Sequence, residues 1–497
     1  MKNIFFLFLN IVCWQSGIHA QRPLVRRQLT VSTVLQSKMV IQQNKPFKVW
    51  GTALPGERVS VKADWLSGPV SVQANEAGSY LAIVEVPAAR KGDYREHSLS
   101  VSAGTEKIEL KHLLIGDIWF CSGQSNMQFA VHEMSDSVSQ LATASRPGLR
   151  LLNVALNFSA APTGSITGSW SYATPATVSK FSAVGYVFGK TLQQHLDIPV
   201  GLIFSGIGAS KVQAFLPREV LHTDSLLDAT YLQPYLNSPH SREVIDKSFT
   251  FEKVTRPYLL YNALIHPFLN LSIKGFCWYQ GESNNRERTV YTRATIAMIK
   301  AWRHAFGQGD LPFEYVQIAP FGHDTLDPGR RTDAFFREAQ QKIMKLSNTM
   351  MVSTMDVGDK NNLHPKKKKP VGERLAMVAL NRTYGWLQIP YQGPAFDYMQ
   401  IRGDSVTIHF TPQTLAGGLR TRDGSAPRFF ELCGSDRHFY PAVARIAADA
   451  VTVRADQVRH PVAVRYAFFN YPVTNLENGA GFPALPFRTD DWPEDAR

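Results

Sequence analysis

Hydrophobic and polar positions follow two kinds of pattern along the chain, and each pattern predicts a different kind of region. From about Gln28 to Lys111, short runs alternate with turn residues, as around the Pro-Gly turn of "FKVWGTALPGERVSVKA". Beyond about Leu387, short runs such as "VTIHF" and "AVTVRA" repeat this texture. Short strands separated by turns are typical of all-β modules. We therefore predict β-sandwich-like modules over residues 28–111 and 387–490.

The middle of the chain has longer elements. The apolar runs "PVGLIFSG", "IKGFCWYQG", "FEYVQIAP" and "TMMVSTMDVG" end in small or polar residues. Stretches such as "YTRATIAMIKAWRHAF" and "AFFREAQQKIMKL" lie between them and have helical periodicity. Strands that alternate with helices form a parallel sheet covered by helices. The predicted fold class is therefore α/β, with the sheet in residues 112–386.

The first residues, "MKNIFFLFLNIVCWQSGIHA", run from a lysine through an apolar core to a small residue at Ala20. This layout is typical of a secretory signal peptide, which we assign to residues 1–20. Cys13 follows Val12, whereas a lipid-anchoring cysteine normally follows a small residue. We therefore expect a soluble exported protein, periplasmic or secreted, with no membrane segment after the signal is removed.

The formal net charge of +12 raises the question of a nucleic-acid partner. Lys and Arg are scattered along the chain, and the export signal argues against nucleic acid, so we expect no such partner. The one dense run, Lys366–Lys369, precedes a helical pattern. We interpret it as the solvated start of that helix, with attraction of an acidic sugar as the alternative.

Outside the signal peptide the cysteines are Cys121, Cys277 and Cys433. Their odd number excludes a fully paired disulfide framework. Cys121 and Cys277 lie in apolar runs, and we expect all three to be small buried side chains. No group of Cys and His has the spacing of metal ligands, so we expect no metal site.

Four predicted strand ends carry polar residues: "CSGQSN", "FSGIGASK", "YQGESNN" and "MDVGDKNNLHP". Carboxyl ends of parallel strands meet at one edge of a sheet, where open α/β proteins bind ligands. Acyl transfer needs a nucleophile, a base and donors for the developing oxyanion. Ser125, His364, the Gly208 backbone N–H and the Asn284 amide offer these groups.

Each of these residues also has a plainer interpretation. Ser122 or Ser125 would serve as the cap of a helix over "NMQFAVHEM", and Asn284 as the cap of the helix after it. Gly208 would satisfy a turn, and His364 would be a structural histidine. Their joint occurrence at four strand ends favours the site.

The blocks "GDIWFCSGQSNMQF", "LYNALIHPFL", "IKGFCWYQGESN" and "DVGDKNNLHPKKKKPVGERLA" resemble those of the sialate O-acetylesterases, within the SGNH (GDSL-like) hydrolases. Similarity extends over nearly the whole mature chain. The resemblance implies a flavodoxin-like parallel sheet with helices on both faces. It also implies hydrolysis of acetyl esters on an O-acetylated glycan, without metal or cofactor.

Carried over by position, the resemblance makes Ser125 the nucleophile and His364 the base. The N–H groups of Ser125 and Gly208 and the side chain of Asn284 form the oxyanion hole. Gln124, Gln280 and Glu282, which lie next to these positions in the sequence, are expected to be supporting residues.

The sequence departs from the family pattern at three places. Ala209 replaces a second glycine in "IGAS", which weakens the prediction of a second backbone contact. The stretch "QAFL", Gln213–Leu216, is expected to shape the pocket wall. Many members have an Asp three residues before the catalytic His, and here Asn361 occupies that position.

The missing acid leaves two arrangements open for the histidine. A carbonyl oxygen of Asn361 or Asn362 can hold the tautomer in a Ser125–His364 dyad. Alternatively, the acid comes from another carboxylate, and the candidates in the sequence are Asp356, Asp359 and Glu282. We favour the dyad.

The sequence thus predicts an exported carbohydrate O-acetylesterase, most like the sialate 9-O-acetylesterases. One alternative within the same chemistry is an esterase of acetylated xylan or another hemicellulose. The other is a glycan-binding protein that has lost catalysis at Asn361. The survival of Ser125, His364 and Asn284 favours the enzyme.

Overall fold

The structure, a computed structural model, describes residues 29–322 and 331–494. The predicted signal peptide, residues 1–20, lies outside the described residues. Within the two described ranges, no helix is long and apolar enough to cross a membrane.

The N-terminal region consists of strands in which buried and exposed side chains alternate, as the period of a half-buried strand requires. Tyr80, Ala82 and Val84, for example, are buried on one face of a single strand. β3 pairs with β1 and β6, and β4 with β5 and β7, all antiparallel. The strands are β1 (Thr30–Val31), β2 (Val40–Gln42), β3 (Phe47–Thr52), β4 (Arg58–Ala63), β5 (Val70–Gln73), β6 (Ser79–Val84), β7 (His97–Ala103) and β8 (Glu106–Gly123).

A parallel sheet forms the centre of the molecule. Its order is β9-β11-β8-β12-β13-β14 with every neighbouring pair parallel, and β10 adds an antiparallel edge beside β9. The predicted α/β class with a parallel sheet is confirmed. The further strands are β9 (Arg146–Asn153), β10 (Trp170–Ala173), β11 (Val200–Phe204), β12 (Gly275–Tyr279), β13 (Phe313–Val316) and β14 (Thr349–Val352).

Helices connect these strands. The α-helices are α1 (Ser125–Gln128), α2 (Ser137–Ala142), α3 (Pro175–Ser179), α4 (Ala183–Leu196), α5 (Arg218–Thr223), α6 (Ser225–Leu227), α7 (Gln233–Leu236), α8 (Arg288–Phe306), α9 (Thr332–Lys342) and α10 (Lys369–Val378). Short 3₁₀ helices lie at Val131–Glu133, Val212–Phe215, Pro239–Arg242, Lys253–Thr255, His266–Phe268, Glu282–Asn284, Ile343–Lys345 and Pro412–Thr414. π-helical turns lie at Asp228–Leu232, Tyr261–Ile265 and Ala379–Thr383.

The strand β8 is 18 residues long and belongs to two regions. Its first half pairs antiparallel with β7, where Glu106 lies opposite Ala103. From Asp117 onward it pairs parallel with β11, and from Trp119 onward with β12. The turn that contains Ser125, the nucleophile predicted from the sequence (the nucleophile turn), therefore follows a strand that is paired on both edges.

Alternate residues of β8 pack on opposite faces of the central sheet. The Phe120 ring centroid lies 5.2 Å from that of Phe268 and 6.4 Å from that of Trp302 in α8. On the other face, Trp119 contacts Phe188 of α4 with centroids 5.0 Å apart. The apolar run "IGDIWFC" is explained by burial on both faces.

The helix predicted over "NMQFAVHEM" is wrong in length, because α1 ends at Gln128 and the backbone turns at Phe129 to φ −45° and ψ 123°. There the chain pairs with the start of α4: the Ala183 N–H donates to the Phe129 carbonyl at 2.7 Å, and the Val131 N–H donates to the Phe181 carbonyl at 3.1 Å. These bonds replace the helical ones.

The C-terminal strands form an antiparallel sheet in the order β15-β16-β20-β19-β18-β21-β23, with a separate β17-β22 pair. They are β15 (Phe396–Arg402), β16 (Ser405–Phe410), β17 (Leu419–Thr421), β18 (Phe430–Cys433), β19 (Phe439–Ala447), β20 (Ala450–Arg454), β21 (Ala463–Tyr466), β22 (Leu476–Asn478) and β23 (Phe487–Arg488).

Buried Arg337 and half-buried Arg331 connect this sheet to the central region. Arg337 of α9 donates to the carbonyls of Phe469 and Asn470, both at 2.8 Å. Arg331 binds both carboxylate oxygens of Glu431, at 2.7 and 2.8 Å.

The cysteine prediction is confirmed. Cys121, Cys277 and Cys433 are buried and free.

Candidate active site

The nucleophile turn begins where β8 ends. Gly123 has φ +136°, and a Cβ there would lie 2.2 Å from the Tyr279 carbonyl oxygen, so only glycine fits. Gln124 is extended and Ser125 opens α1. Ser122, the other serine of the turn, is buried and donates to the Ser205 carbonyl at 2.5 Å. Ser122 therefore fastens β8 to the loop after β11, and Ser125 is the serine that faces the cleft.

The histidine loop follows β14 and meets the nucleophile turn. Nε2 of His364 lies 2.8 Å from Oγ of Ser125, within hydrogen-bond distance. The Asn362 side-chain oxygen accepts the His364 backbone N–H at 2.9 Å and closes the turn that presents the imidazole. The structure thus brings together two residues that are 239 positions apart.

The surroundings favour a neutral imidazole. Burial lowers the pKa of His364, and the positive charge of Lys368 lowers it further, while the Glu133 carboxylate raises it by less. The net shift is downward. A neutral imidazole is the form that accepts a proton from a serine hydroxyl.

Within residues 29–322 and 331–494, the other ring nitrogen of His364 has no carboxylate partner. Among the described residues, no hydrogen bond reaches Nδ1 of His364. Asp356 is bound by Arg374 at 2.7 Å through each carboxylate oxygen. Asp359 accepts the backbone N–H of Asn361 at 2.9 Å, and the Asn361 side chain is exposed.

Glu133 lies on the cleft wall together with His364, and sequence reasoning missed it. Its Oε2 accepts the Ala130 N–H at 2.8 Å. The sequence gives only a weak signal for Glu133. It lies two turns after Ser125 along the helix predicted over "NMQFAVHEM", but α1 ends at Gln128.

Two backbone N–H groups lie beside the side chain of Ser125, the predicted nucleophile. The Ser125 N–H makes no hydrogen bond within the described part of the chain. A Cβ built on Gly208 would lie 3.4 Å from that of Ser125, so the Gly208 backbone closely approaches the nucleophile. Its N–H donates to Oε1 of Gln128 at 2.8 Å.

The Asn284 amide is buried and already bonded. Its Nδ2 donates to Glu287 at 2.7 Å and to Gln213 at 3.3 Å. Its oxygen accepts from Gln280 at 2.6 Å and from the Val212 N–H at 3.1 Å. Both N–H groups of the Asn284 amide therefore donate to residues other than Ser125.

The supporting residues hold the loops of the site. Oε1 of Gln124 accepts the N–H groups of Gly281 and Ser283 at 3.1 and 3.3 Å. Gln280 donates to the Ser210 carbonyl at 3.2 Å. Glu282 accepts from Asn126, the residue after Ser125, at 2.6 Å. Glu282 therefore lies behind the nucleophile turn.

An open cleft of about 660 Å³ lies in front of Ser125 and His364. Its lining residues are Ser125, Gln128, Phe129, Ala130, Glu133, Asn153, Val154, Ala155, Leu156, Lys180, Ser182, Phe204, Gly206, Ile207 and His364. The charged side chains in this set are Glu133 and Lys180. A wall of both polar and apolar side chains suits a polar ligand that carries an apolar group, such as an acetylated sugar.

Residues 115–381 match the family described as "Carbohydrate esterase, sialic acid-specific acetylesterase". The sialate O-acetylesterase of Mus musculus is 27% identical, over 92% of this chain and 93% of that protein. The Homo sapiens sialate O-acetylesterase is 26% identical, over 92% and 91%. A crystal structure of a carbohydrate acetylesterase from Xanthomonas citri has 32% identity and a TM-score of 0.82, and the match covers 93% of this chain and 100% of that one.

This chain belongs to the sialic acid-specific acetylesterase family. The family match spans more than half of the 497 residues. The resemblance stated from the sequence is thereby confirmed. The chain is an esterase that removes O-acetyl groups from sugars, and its α/β fold is similar to that of a carbohydrate acetylesterase.

Two departures from the family pattern have clear consequences in this acetylesterase. Ala209 keeps a left-handed backbone with φ +60°, a conformation that favours glycine, and its carbonyl accepts from Ser283 at 3.1 Å. The expectation that Gln213–Leu216 shapes the pocket wall is wrong. These residues are buried, and Phe215 packs on Trp278 with ring centroids 5.1 Å apart.

Proposed function

We propose that this acetylesterase removes the acetyl group of 9-O-acetylated sialic acid through an acetyl-enzyme on Ser125. The observation that carries the mechanism is the 2.8 Å contact between Oγ of Ser125 and Nε2 of His364. A serine with a neutral imidazole within hydrogen-bond reach is the arrangement of an activated nucleophile.

In the first half-reaction, Oγ of Ser125 attacks the acetyl carbonyl while His364 takes the hydroxyl proton. The tetrahedral intermediate then collapses, and His364 returns the proton to the departing sugar oxygen. In the second half-reaction, His364 accepts a proton from water while the water oxygen attacks the acetyl-enzyme. The second tetrahedral intermediate collapses, His364 returns the proton to Oγ of Ser125, and acetate leaves.

The oxyanion of the intermediate needs donors beside Ser125. The Ser125 N–H has no competing acceptor among the described residues, and the Gly208 N–H becomes available when the exposed Gln128 side chain moves. Asn284 joins this hole only if its amide leaves Glu287. Each such donor contributes about 10²- to 10³-fold to the rate in comparable sites.

We propose a Ser125–His364 dyad without a carboxylate on Nδ1. Asp356 and Asp359 have other partners. Glu282 is bonded to Asn126. A backbone or side-chain carbonyl of the loop around Asn361 and Asn362, or water, then holds the imidazole tautomer.

Lys180 supports an acidic sugar as substrate. It lies on the wall of the cleft, is exposed, and forms no ion pair within the described residues. Sialic acid carries a carboxylate, for which a free ammonium group is a suitable partner. A neutral acetylated polysaccharide would leave this charge unused.

Two structural predictions belong to the same proposal. Without the outer parallel strand β9, the strands β11-β8-β12-β13-β14, ranked by chain position, follow the order 2-1-3-4-5, which supports a flavodoxin-like arrangement of the SGNH type with one added strand. The signal-like residues 1–20 support export to the periplasm or the outside of the cell.

The test is acetate release by the purified mature chain from 9-O-acetylated sialic acid and, in parallel, from acetylated xylan. We expect release from the sialic acid that Ser125→Ala abolishes and that Ser139→Ala, an exposed serine of α2, leaves unchanged. Preference for xylan would overturn the substrate. Equal release by Ser125→Ala would overturn the mechanism.

A further inference from the structure

The lysine run after the histidine loop contains one buried member. Lys366, Lys367 and Lys369 are exposed, as a solvated helix start requires, whereas Lys368 is 1% exposed. For Lys368 the sequence interpretation is wrong. A buried lysine costs free energy unless its charge is paired or hydrogen-bonded, so its contacts call for an explanation.

The ammonium group of Lys368 lies behind the nucleophile turn. It donates a short hydrogen bond to Oδ1 of Asn126. It also lies over two aromatic rings, 4.7 Å from the Phe129 centroid and 5.6 Å from the Tyr279 centroid. Ring faces attract cations, which offsets part of the loss of water.

The Asn126 side chain connects this lysine to both catalytic loops. Asn126 directly follows Ser125, and its Nδ2 donates to the Leu363 carbonyl at 3.2 Å, directly before His364. The same nitrogen donates to Glu282 at 2.6 Å. One buried amide thus joins the nucleophile turn, the histidine loop and the loop after β12.

The charges around this network favour a neutral imidazole. Burial lowers the pKa of Lys368 to about 7, against the opposing effect of Glu282 and Glu133. Lys368 is therefore protonated in the acidic range where imidazoles titrate. Its charge then lowers the pKa of His364, after the larger effect of burial.

The titratable groups that face these two residues come from separate elements. Glu282, after β12, and Glu133, after α1, face Lys368, and Glu133 also faces His364. Burial raises the pKa of Glu282; the Asn126 bond and Lys368 lower it, and Asp333 of α9 raises it. Among the titratable groups named here, Lys368 is the one that contributes positive charge next to His364.

We propose that Lys368 is a positioning residue of the esterase, which joins the Ser125 turn to the His364 loop through Asn126 and keeps positive charge beside the imidazole. The charge lets His364 remain a base in mildly acidic solution. The proposal rests on the Ser125–His364 mechanism proposed above.

The charge is tested by the pH dependence of kcat/KM on a small acetyl ester. In the unmodified enzyme the acid limb should lie below about pH 6.5, the ordinary value of a histidine. In Lys368→Met it should move to higher pH, because the positive charge that lowers the pKa of His364 is removed. Lys367→Met, its exposed neighbour, should leave the limb unchanged.

The hydrogen bond is tested by comparing Lys368→Met with Lys368→Gln. Glutamine can donate to Asn126 without carrying a charge, so both variants should shift the limb. Lys368→Met should in addition lose about 10- to 100-fold in kcat, because the two catalytic loops lose their common tie. Lys368→Gln should recover part of that loss.

Three results would overturn the proposal. They are an acid limb of the unmodified enzyme at or above pH 6.5, a limb that is the same in all variants, and equal kcat for Lys368→Met and Lys367→Met. Thermal unfolding identifies a variant that fails to fold, in which case the unmodified enzyme still supplies the first of these tests. Failure of the Ser125 mechanism would look different, since Ser125→Ala would then retain activity.

Discussion

The side-chain oxygen of Gln128 accepts the backbone N–H of Gly208 at 2.8 Å, directly beside Ser125. The Gln128 amide oxygen thus accepts from the Gly208 N–H, which is the group that we propose as a hydrogen-bond donor to the acetyl carbonyl oxygen. Gln128 is exposed at the cleft, so its side chain can move away when an ester binds.

Removal of this competing acceptor should free the donor. We expect Gln128→Ala to raise kcat/KM for a small neutral acetyl ester by about 2- to 10-fold, the value of one ordinary hydrogen bond. Steady-state kinetics measure this change. Gln400→Ala, at an exposed position of β15, is the matched control and should match the parent. A fall in kcat/KM would contradict the prediction, because it would mean that Gln128 itself holds the substrate.

Lys180 should discriminate between acidic and neutral sugars. For Lys180→Gln we expect KM for 9-O-acetylated sialic acid to rise about 3- to 10-fold, because an exposed charge pair is lost. KM for a neutral O-acetylated monosaccharide should stay the same. The difference should shrink at high salt. Lys366→Gln, at an exposed lysine outside the cleft, serves as control, and an equal effect on both sugars would refute a carboxylate-binding role.

The periodicity of apolar residues and the polar residues at strand ends were enough to predict the central sheet and the edge at which Ser125 and His364 lie. Buried parallel strands are apolar runs, and their carboxyl ends must meet, so Ser125 and His364 could be placed at one edge from the sequence. The 2.8 Å contact agrees with that placement. The same pattern predicted the strands on either side of the central sheet.

Side-chain direction could not be predicted in the same way. Asn284 lies at the expected strand end, but its amide points to Glu287, three residues later, and to Gln213, which comes from a distant segment. Four consecutive lysines look alike in sequence, and the start of α10 decides that Lys368 is the buried one. Glu133 reaches the cleft only because α1 ends early.

Asp356 should contribute to stability and not to the histidine's titration. Burial raises the pKa of the Asp356 carboxyl, but the bonds from Arg374 and the charge of Arg422 outweigh it, so its pKa is below the ordinary value. Asp356→Asn leaves a buried guanidinium without its anion, which costs about 3 kcal/mol.

Urea unfolding measures this loss, and the exposed pair of Asp404 and Arg454 offers the control. Asp404→Asn should cost less than about 1 kcal/mol. The acid limb of kcat/KM should be the same in Asp356→Asn as in the parent. A shifted limb would make Asp356 a partner of His364 after all.

Glu133 should act on His364 in the opposite direction to Lys368. Its carboxylate raises the pKa of the imidazole, so Glu133→Gln should move the acid limb of kcat/KM to lower pH. Because Glu133 is exposed, we expect the shift to be small and to shrink further at high salt. Glu76→Gln, on an exposed N-terminal loop, should have no effect. A limb that moves upward would contradict the assigned charge relationship.

The buried Lys368 should also make stability depend on pH. Burial lowers its pKa from the ordinary value of 10.5 to about 7 in the folded chain. Between these values the unfolded chain binds the proton and the folded chain increasingly does not. The free energy of unfolding therefore rises with pH in this window, by at most about 1.4 kcal/mol per unit, and falls as the pH drops toward 7.

Lys368→Met removes this titration, so the comparison isolates it. Urea unfolding at pH 7, 8 and 9 should show that the parent gains free energy of unfolding relative to Lys368→Met at each step. Lys367→Met should follow the parent at every pH, because its lysine is exposed in both states. A constant difference between the parent and Lys368→Met would mean that Lys368 titrates alike in the folded and unfolded chains. Its burial would then leave its pKa unshifted, and Lys368 would stay charged beside His364 throughout this pH range.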